Sequence, residues 1–146
     1  MNVKLLREHA GERTFALVFE TGDEVMGPLA EFLRENSVSA ARFTGIGAFQ
    51  SVTLGYFDTE RKDYDKIPIN EQVEVLSLAG DVALEDGEPG IHAHVVVAKS
   101  DASAHGGHLI EAIVRPTLEV VLVDSPTLLR KRIDPETGLA LIALDL

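Results

Sequence analysis

What most constrains the fold is a two-residue hydrophobic beat, cut at short intervals by glycine, proline and aspartate. It is plain in Val73-Glu74-Val75 and its continuation to Leu84, in Ile91-His92-Ala93-His94-Val95 and in Leu118-Glu119-Val120. Side chains that alternate this way point to opposite faces of an extended chain, so each run reads as a half-buried strand. Further strands are predicted over 14–20, 38–44, 52–57, 91–98, 107–114, 118–123 and 139–144, with a long one over 73–84 that Gly80 could bulge. Short connections, such as Glu85 to Gly90 and Asp134 to Gly138, join antiparallel neighbours. Asp58 to Pro68 reads as a polar connection. The segment holding Arg130, Lys131 and Arg132 reads as a turn-rich surface patch.

One stretch breaks the beat. From Glu24 to about Asn36, Val25, Leu29, Phe32 and Leu33 recur at helical spacing. Pro28 falls near the first turn, where its missing N–H costs least, and Asp23 is placed to cap the helix. The expected fold is therefore α/β of the α+β type: a mainly antiparallel sheet with one main helix packed on it. At 146 residues and 45% hydrophobic content, the chain suits a single domain over 1–146 with a real core.

Composition narrows the function. A net charge of −11 opposes a phosphate backbone, which argues against direct nucleic-acid binding. No apolar run is long enough to span a bilayer and the N-terminal residues lack a signal-peptide core, so no membrane is expected and the predicted address is the cytoplasm. Cysteine is absent, so any metal must be held by nitrogen and oxygen.

Those nitrogens are conspicuous. His92 and His94 share one face of their strand, opposite Ile91, Ala93, Val95 and Val97. A hairpin centred near Asp101 sets His94 directly across from His108, with Cβ atoms about 4.5–5.5 Å apart. Three imidazoles then converge, and a tetrahedral ion held by three histidines keeps one position for water or substrate. Zn2+ suits such a set, as do nickel, cobalt, manganese or iron. Gly106 and Gly107 fit either a positive φ ending the turn or a close backbone approach. His105 is a turn residue or a fourth ligand, with the turn preferred, and His9 is solvated. Glu74 and Glu119, charged residues inside apolar strands, are outward-facing or serve as catalytic proton acceptors beside the ion. Asp81 and Asp101 are weaker candidates. Gly45-Ile46-Gly47-Ala48-Phe49-Gln50 lacks the third glycine and the following helix of a dinucleotide site.

In order along the chain, Gly45-Ile46-Gly47-Ala48-Phe49, Leu54-Gly55-Tyr56-Phe57-Asp58, Glu74 to Gly80, Ile91-His92-Ala93-His94, Gly106-Gly107-His108-Leu109 and Thr117-Leu118-Glu119-Val120 resemble the PPC domain, also called DUF296, in its stand-alone prokaryotic form. The resemblance implies a homotrimer. It also implies a metal, usually zinc, on the residues matching His92, His94 and His108. A small-molecule ligand would occupy the open position, bound or hydrolysed or hydrated there. The plant members, which carry AT-hook peptides, imply an alternative: a DNA-associated regulatory or assembly module acting through partners. This chain has no Arg-Gly-Arg-Pro core.

Overall fold

The computed structural model describes residues 1–145. The elements are β1 (Asn2–His9), β2 (Glu12–Glu20), α1 (Met26–Glu35), β3 (Ala40–Asp58), β4 (Asp63–Ile69), β5 (Val73–Glu85), β6 (Glu88–Ala98), β7 (Ala104–Asp124), β8 (Arg130–Ile133) and β9 (Ala140–Ala143). All belong to one sheet except the helix, and every strand pairing is antiparallel but for a single parallel bridge between Leu84 and Arg130. The mainly antiparallel sheet with one packed helix is thus as the sequence predicts. Among the described residues no helix is long and apolar enough to cross a membrane.

Two strands are far longer than their sequence signals. The segments expected at 38–44 and 52–57 are both parts of β3, and those at 107–114 and 118–123 are both parts of β7. Each survives its interruption by bulging. The β3–β7 register shifts between Gly47 and Phe49, which leaves Arg115, Pro116 and Thr117 unpaired with β3, so the proline breaks no ladder bond there. At Gly47 a Cβ would run into the Thr117 carbonyl. These bends let β3 and β7 each serve two neighbourhoods. β3 pairs β5 and β7, β5 pairs β6, and β6 pairs β7, so four strands close a ring.

The bulge in β5 lies between Val75 and Ser77, not at Gly80. Gly80 stays in register opposite Ala93; it is small because the Phe43 ring packs over it and the His92 carbonyl stands 2.6 Å from where a Cβ would be. Three strands have weak sequence signals. β1 is exposed along its whole length, with His9 at its end. β4 is an edge strand carrying Asp63, Asp65, Lys66 and Pro68, and it occupies what reads in sequence as a polar connection. β8 replaces the expected turn-rich patch.

Helix α1 buries Leu29, Phe32 and Leu33, each burial contributing about 1.5–3 kcal/mol. Val25 is buried just before it. Its N-terminus is not capped by Asp23, whose carboxylate instead accepts the Glu20 N–H and pairs with the chain's amino group. Glu24 does the capping, its two oxygens accepting the N–H groups of Met26 and Gly27 at 2.9 and 2.6 Å. The helix packs towards β6 and β7. The histidines stand on the outer face of those two strands, turned away from the core.

Candidate metal centre

β6 turns Ala93, Val95 and Val97 into the core and leaves His92, His94 and Val96 outside. Its ladder with β7 sets His94 opposite His108, Val95 opposite Gly107 and Val96 opposite Gly106. This is the register expected from a hairpin centred near Asp101. The reversal itself is made by Lys99 to Ser103, with Ala102 at φ 65° and the Asp101 carboxylate accepting the Ser103 N–H. Asp101 is therefore a turn residue. Gly106 and Gly107 lie inside β7 rather than ending the turn. Gly107 answers a close approach, since a Cβ there would stand 2.8 Å from the Gly55 carbonyl.

The three rings meet. One nitrogen of each of His92, His94 and His108 lies within 4.8 Å of the others. Nε2 of His92 and Nε2 of His94 are 3.2 Å apart. Two nitrogens each 2.0–2.1 Å from a tetrahedral ion would be separated by about 3.3–3.4 Å. The same separation suits a hydrogen bond when one imidazole carries the proton and the other does not. Nδ1 of His108 is buried and has no hydrogen-bond partner among the described residues. Three imidazole nitrogens within 4.8 Å of one another are a donor set that fits a divalent transition ion.

The surroundings come from three further strands. Asp81 on β5 sits directly opposite His92, and its Oδ2 is 3.4 Å from His92 Nδ1. Lys131 on β8 reaches in from the other side. Its ammonium is 3.8 Å from Asp81 Oδ1 and donates to the Gly90 carbonyl at 3.2 Å. Tyr64 on β4 stacks on His108, with ring centroids 4.6 Å apart. Room for that ring is made by Gly55, the β3 residue opposite His108, where a Cβ would fall 2.7 Å from Tyr64 Cδ1.

Charge and burial favour neutral imidazoles. Burial, then the neighbouring His92 and His94 and finally Lys131, holds His108 below the ordinary imidazole value of 6.5. Burial and His92 do the same for His94, against a smaller opposing pull from Asp81. Neutral rings are what a metal needs. Burial also pushes the Tyr64 phenol above its usual 10.

The other candidates stand elsewhere. Glu74 is exposed opposite Ala48 and Ala98, seven residues along β5 from Asp81, or about 23 Å at the usual strand rise. Glu119 lies opposite Val18 and Ile46, in a hollow shared with Leu76 and Val121. Neither carboxylate is brought to the histidines; Asp81, the weaker candidate in sequence, is. His105 is three residues from His108, so it leaves β7 on the other face, where its Nε2 is 3.4 Å from Ser103 Oγ. Lys131 and Tyr64 carry no sequence signal as site residues.

A ring of antiparallel strands with an imidazole trio on its outer face defines a compact β-domain class with a candidate metal centre. Residues 6–126 match the Plants and Prokaryotes Conserved (PCC) domain, and the chain belongs to that family. Among solved structures it is similar to a plant- and prokaryote-conserved (PPC) protein of Pyrococcus horikoshii, with 31% identity, TM-score 0.84, and 97% of this chain and 94% of that one covered. It is similar to a metal-containing protein of Archaeoglobus fulgidus, with 34% identity, TM-score 0.82, and 97% and 96% covered. A candidate DNA-binding protein of Bacteroides thetaiotaomicron shares 26% identity at TM-score 0.86, with 96% of each chain covered. Over 129 residues, 86% of its length, the chain is 29% identical to the bifunctional protein GlmU of Synechococcus sp. (strain JA-3-3Ab), of which it spans only 20%.

Proposed function

We propose that this protein binds zinc through His92, His94 and His108, and binds or hydrolyses or hydrates a small molecule at the remaining coordination position. The observation that carries the reading is the convergence of three imidazole nitrogens within 4.8 Å. The metal content of the Archaeoglobus neighbour adds support. Zinc bound there would supply Lewis acidity to an oxygen of the ligand. Asp81 would hold the His92 ring in one tautomer by accepting the hydrogen bond of its Nδ1–H, the acceptor role that the sequence suggests for Glu74 or Glu119. Lys131 and Tyr64 would border the ligand and limit water. A homotrimer is part of the proposal. It is supported by apolar side chains left in the open around Glu119, notably Ile46 at 62% and Leu76 at 54% exposure.

The test is metal analysis of purified protein against a His92→Ala/His94→Ala variant. One equivalent of zinc per wild-type chain and none in the variant is expected; equal content in both would reject the site. A DNA-associated role through partners is the second reading, favoured by the description of the Bacteroides neighbour. The basic run offers it little. Lys131 has only 5% of its side chain exposed, and Arg132 is paired with Asp145 at 2.9 Å.

A further inference from the structure

Beside the histidines the β8–β9 hairpin walls one side of a half-open cavity of about 330 Å3. Such a volume lies at the small end of the range that holds organic ligands, about 300–1,000 Å3. His92, His108 and Asp81 form one side. Ile142 of the hairpin, which pairs with Lys131 and shares its face, forms the other with Ala140, and Ile91 of β6 adds to the apolar lining. Lys131 also lines it. On β8, Arg130 and Arg132 are exposed and Lys131 between them turns inward, as strand alternation requires.

A buried lysine needs a reason. Asp81 supplies part of one, yet at 3.8 Å it is beyond a hydrogen bond, and its Oδ1 has no hydrogen-bond partner among the described residues. Among the described residues the ammonium makes one hydrogen bond, to the Gly90 carbonyl. An ammonium has three donors, so donor capacity is left over at the cavity.

We propose that this cavity takes a small monocarboxylic acid with a short apolar chain, whose carboxylate is held by Lys131 and whose chain is covered by the β8–β9 hairpin. The proposal rests on the reading of the same face as a metal centre, and it names the ligand class. A single negative charge suits the cavity better than a phosphate dianion, because among the described residues two carboxylates, Asp81 and Glu85, line it against one cationic side chain, Lys131. The apolar wall selects for a hydrocarbon chain over a sugar or a polyol. Lys131 is a binding residue here; no bond-making step is assigned to it.

The experiment is calorimetric titration of the zinc-loaded protein with acetate, butyrate and hexanoate, using wild type, K131M and K131R. Zinc content is measured on each preparation. Hexanoate should bind at least tenfold tighter than acetate. K131M should lose at least tenfold in hexanoate affinity with its zinc content unchanged, and K131R should retain most of the affinity. Equal hexanoate binding by wild type and K131M overturns the proposal, as does hexanoate binding no tighter than acetate, or inorganic phosphate displacing hexanoate at equal concentration. Should K131M fail to fold, a wild-type crystal soaked in hexanoate decides. A carboxylate within hydrogen-bond distance of Lys131 Nζ supports the assignment, and one placed elsewhere overturns it. A wild-type chain that takes up no zinc yet binds hexanoate in a Lys131-dependent way would remove the metal reading and uphold the cavity's ligand.

Discussion

Nδ1 of His92 stands 3.4 Å from Oδ2 of Asp81, while Nε2 of the same ring faces His94 at 3.2 Å. One imidazole thus joins a carboxylate to the histidine cluster. A carboxylate on the far nitrogen fixes the tautomer and makes the near nitrogen a better ligand, an effect worth about 10–100-fold in metal affinity. Asp81→Asn is expected to weaken zinc binding by that much, while Glu74→Gln leaves it unchanged. Competition against a chromophoric chelator measures both. Equal affinities for wild type and Asp81→Asn would detach Asp81 from the centre.

Metal removal should be visible as lost stability. A ligand that binds only the folded chain adds about 2.7 kcal/mol when present at 100 times its dissociation constant. Scanning calorimetry of the wild type with added zinc and with a chelator is expected to show a lower transition temperature after chelation. The His92→Ala/His94→Ala variant should show the same transition under both conditions. A variant that still responds to zinc would place the ion elsewhere.

Gly55 is expected to tolerate no side chain. In Gly55→Ala the new methyl would lie 2.7 Å from Tyr64 Cδ1 and 3.1 Å from Ile110 Cδ1. Overpacking of this kind costs about 1–3 kcal/mol. Urea denaturation should show a lower midpoint for Gly55→Ala, and pairing it with Tyr64→Ala should recover part of the loss because the two sites are in contact. Strict additivity of the two changes would mean that the ring does not meet the added methyl.

The pH dependence follows from His94 and His108, both held below 6.5 chiefly by burial. Below 6.5 the unfolded chain takes up protons that the folded chain still refuses. Stability of chelator-treated protein is therefore full above that value and falls as pH drops from it toward the lowered folded-state values. The lowered carboxyls, such as Asp58 and Asp134, act only below their ordinary 3.8 and leave this window clear. Thermal scans between about pH 7 and pH 5 should show the decline, and His108→Gln should flatten it. A wild-type profile that stays level across the window would contradict the burial of these rings.

The sequence carries the centre of the structure better than its edges. The His94–His108 pairing is readable because the reversal between the two strands is short and alternation fixes which faces meet. The same reasoning reaches Asp81. Asp86 and Gly87 both have positive φ and form a two-residue hairpin turn, the Asp-Gly signal that sets Asp81 opposite His92. Reading 85–90 as one broad turn hides that register, and attention passes to Glu74 and Glu119 instead. β1 and β4 elude a hydrophobic pattern because edge strands carry charge to resist further pairing. Lys131 is illegible for another reason. Its partners Asp81 and Gly90 are 50 and 41 residues away, and flanking arginines make it look like part of a solvated run. Only the tertiary placement of β8 distinguishes it.

The β8–β9 hairpin meets the strand ring at one bridge, at the Leu84–Leu129 backbone bond and through Lys131 itself. It follows the residues that match the family. The three histidines and the hairpin side of the cavity therefore sit on parts of the chain joined by few backbone bonds. If the proposed ligand is held there, exchanging this segment would change which molecule is admitted while the imidazoles beneath keep their spacing.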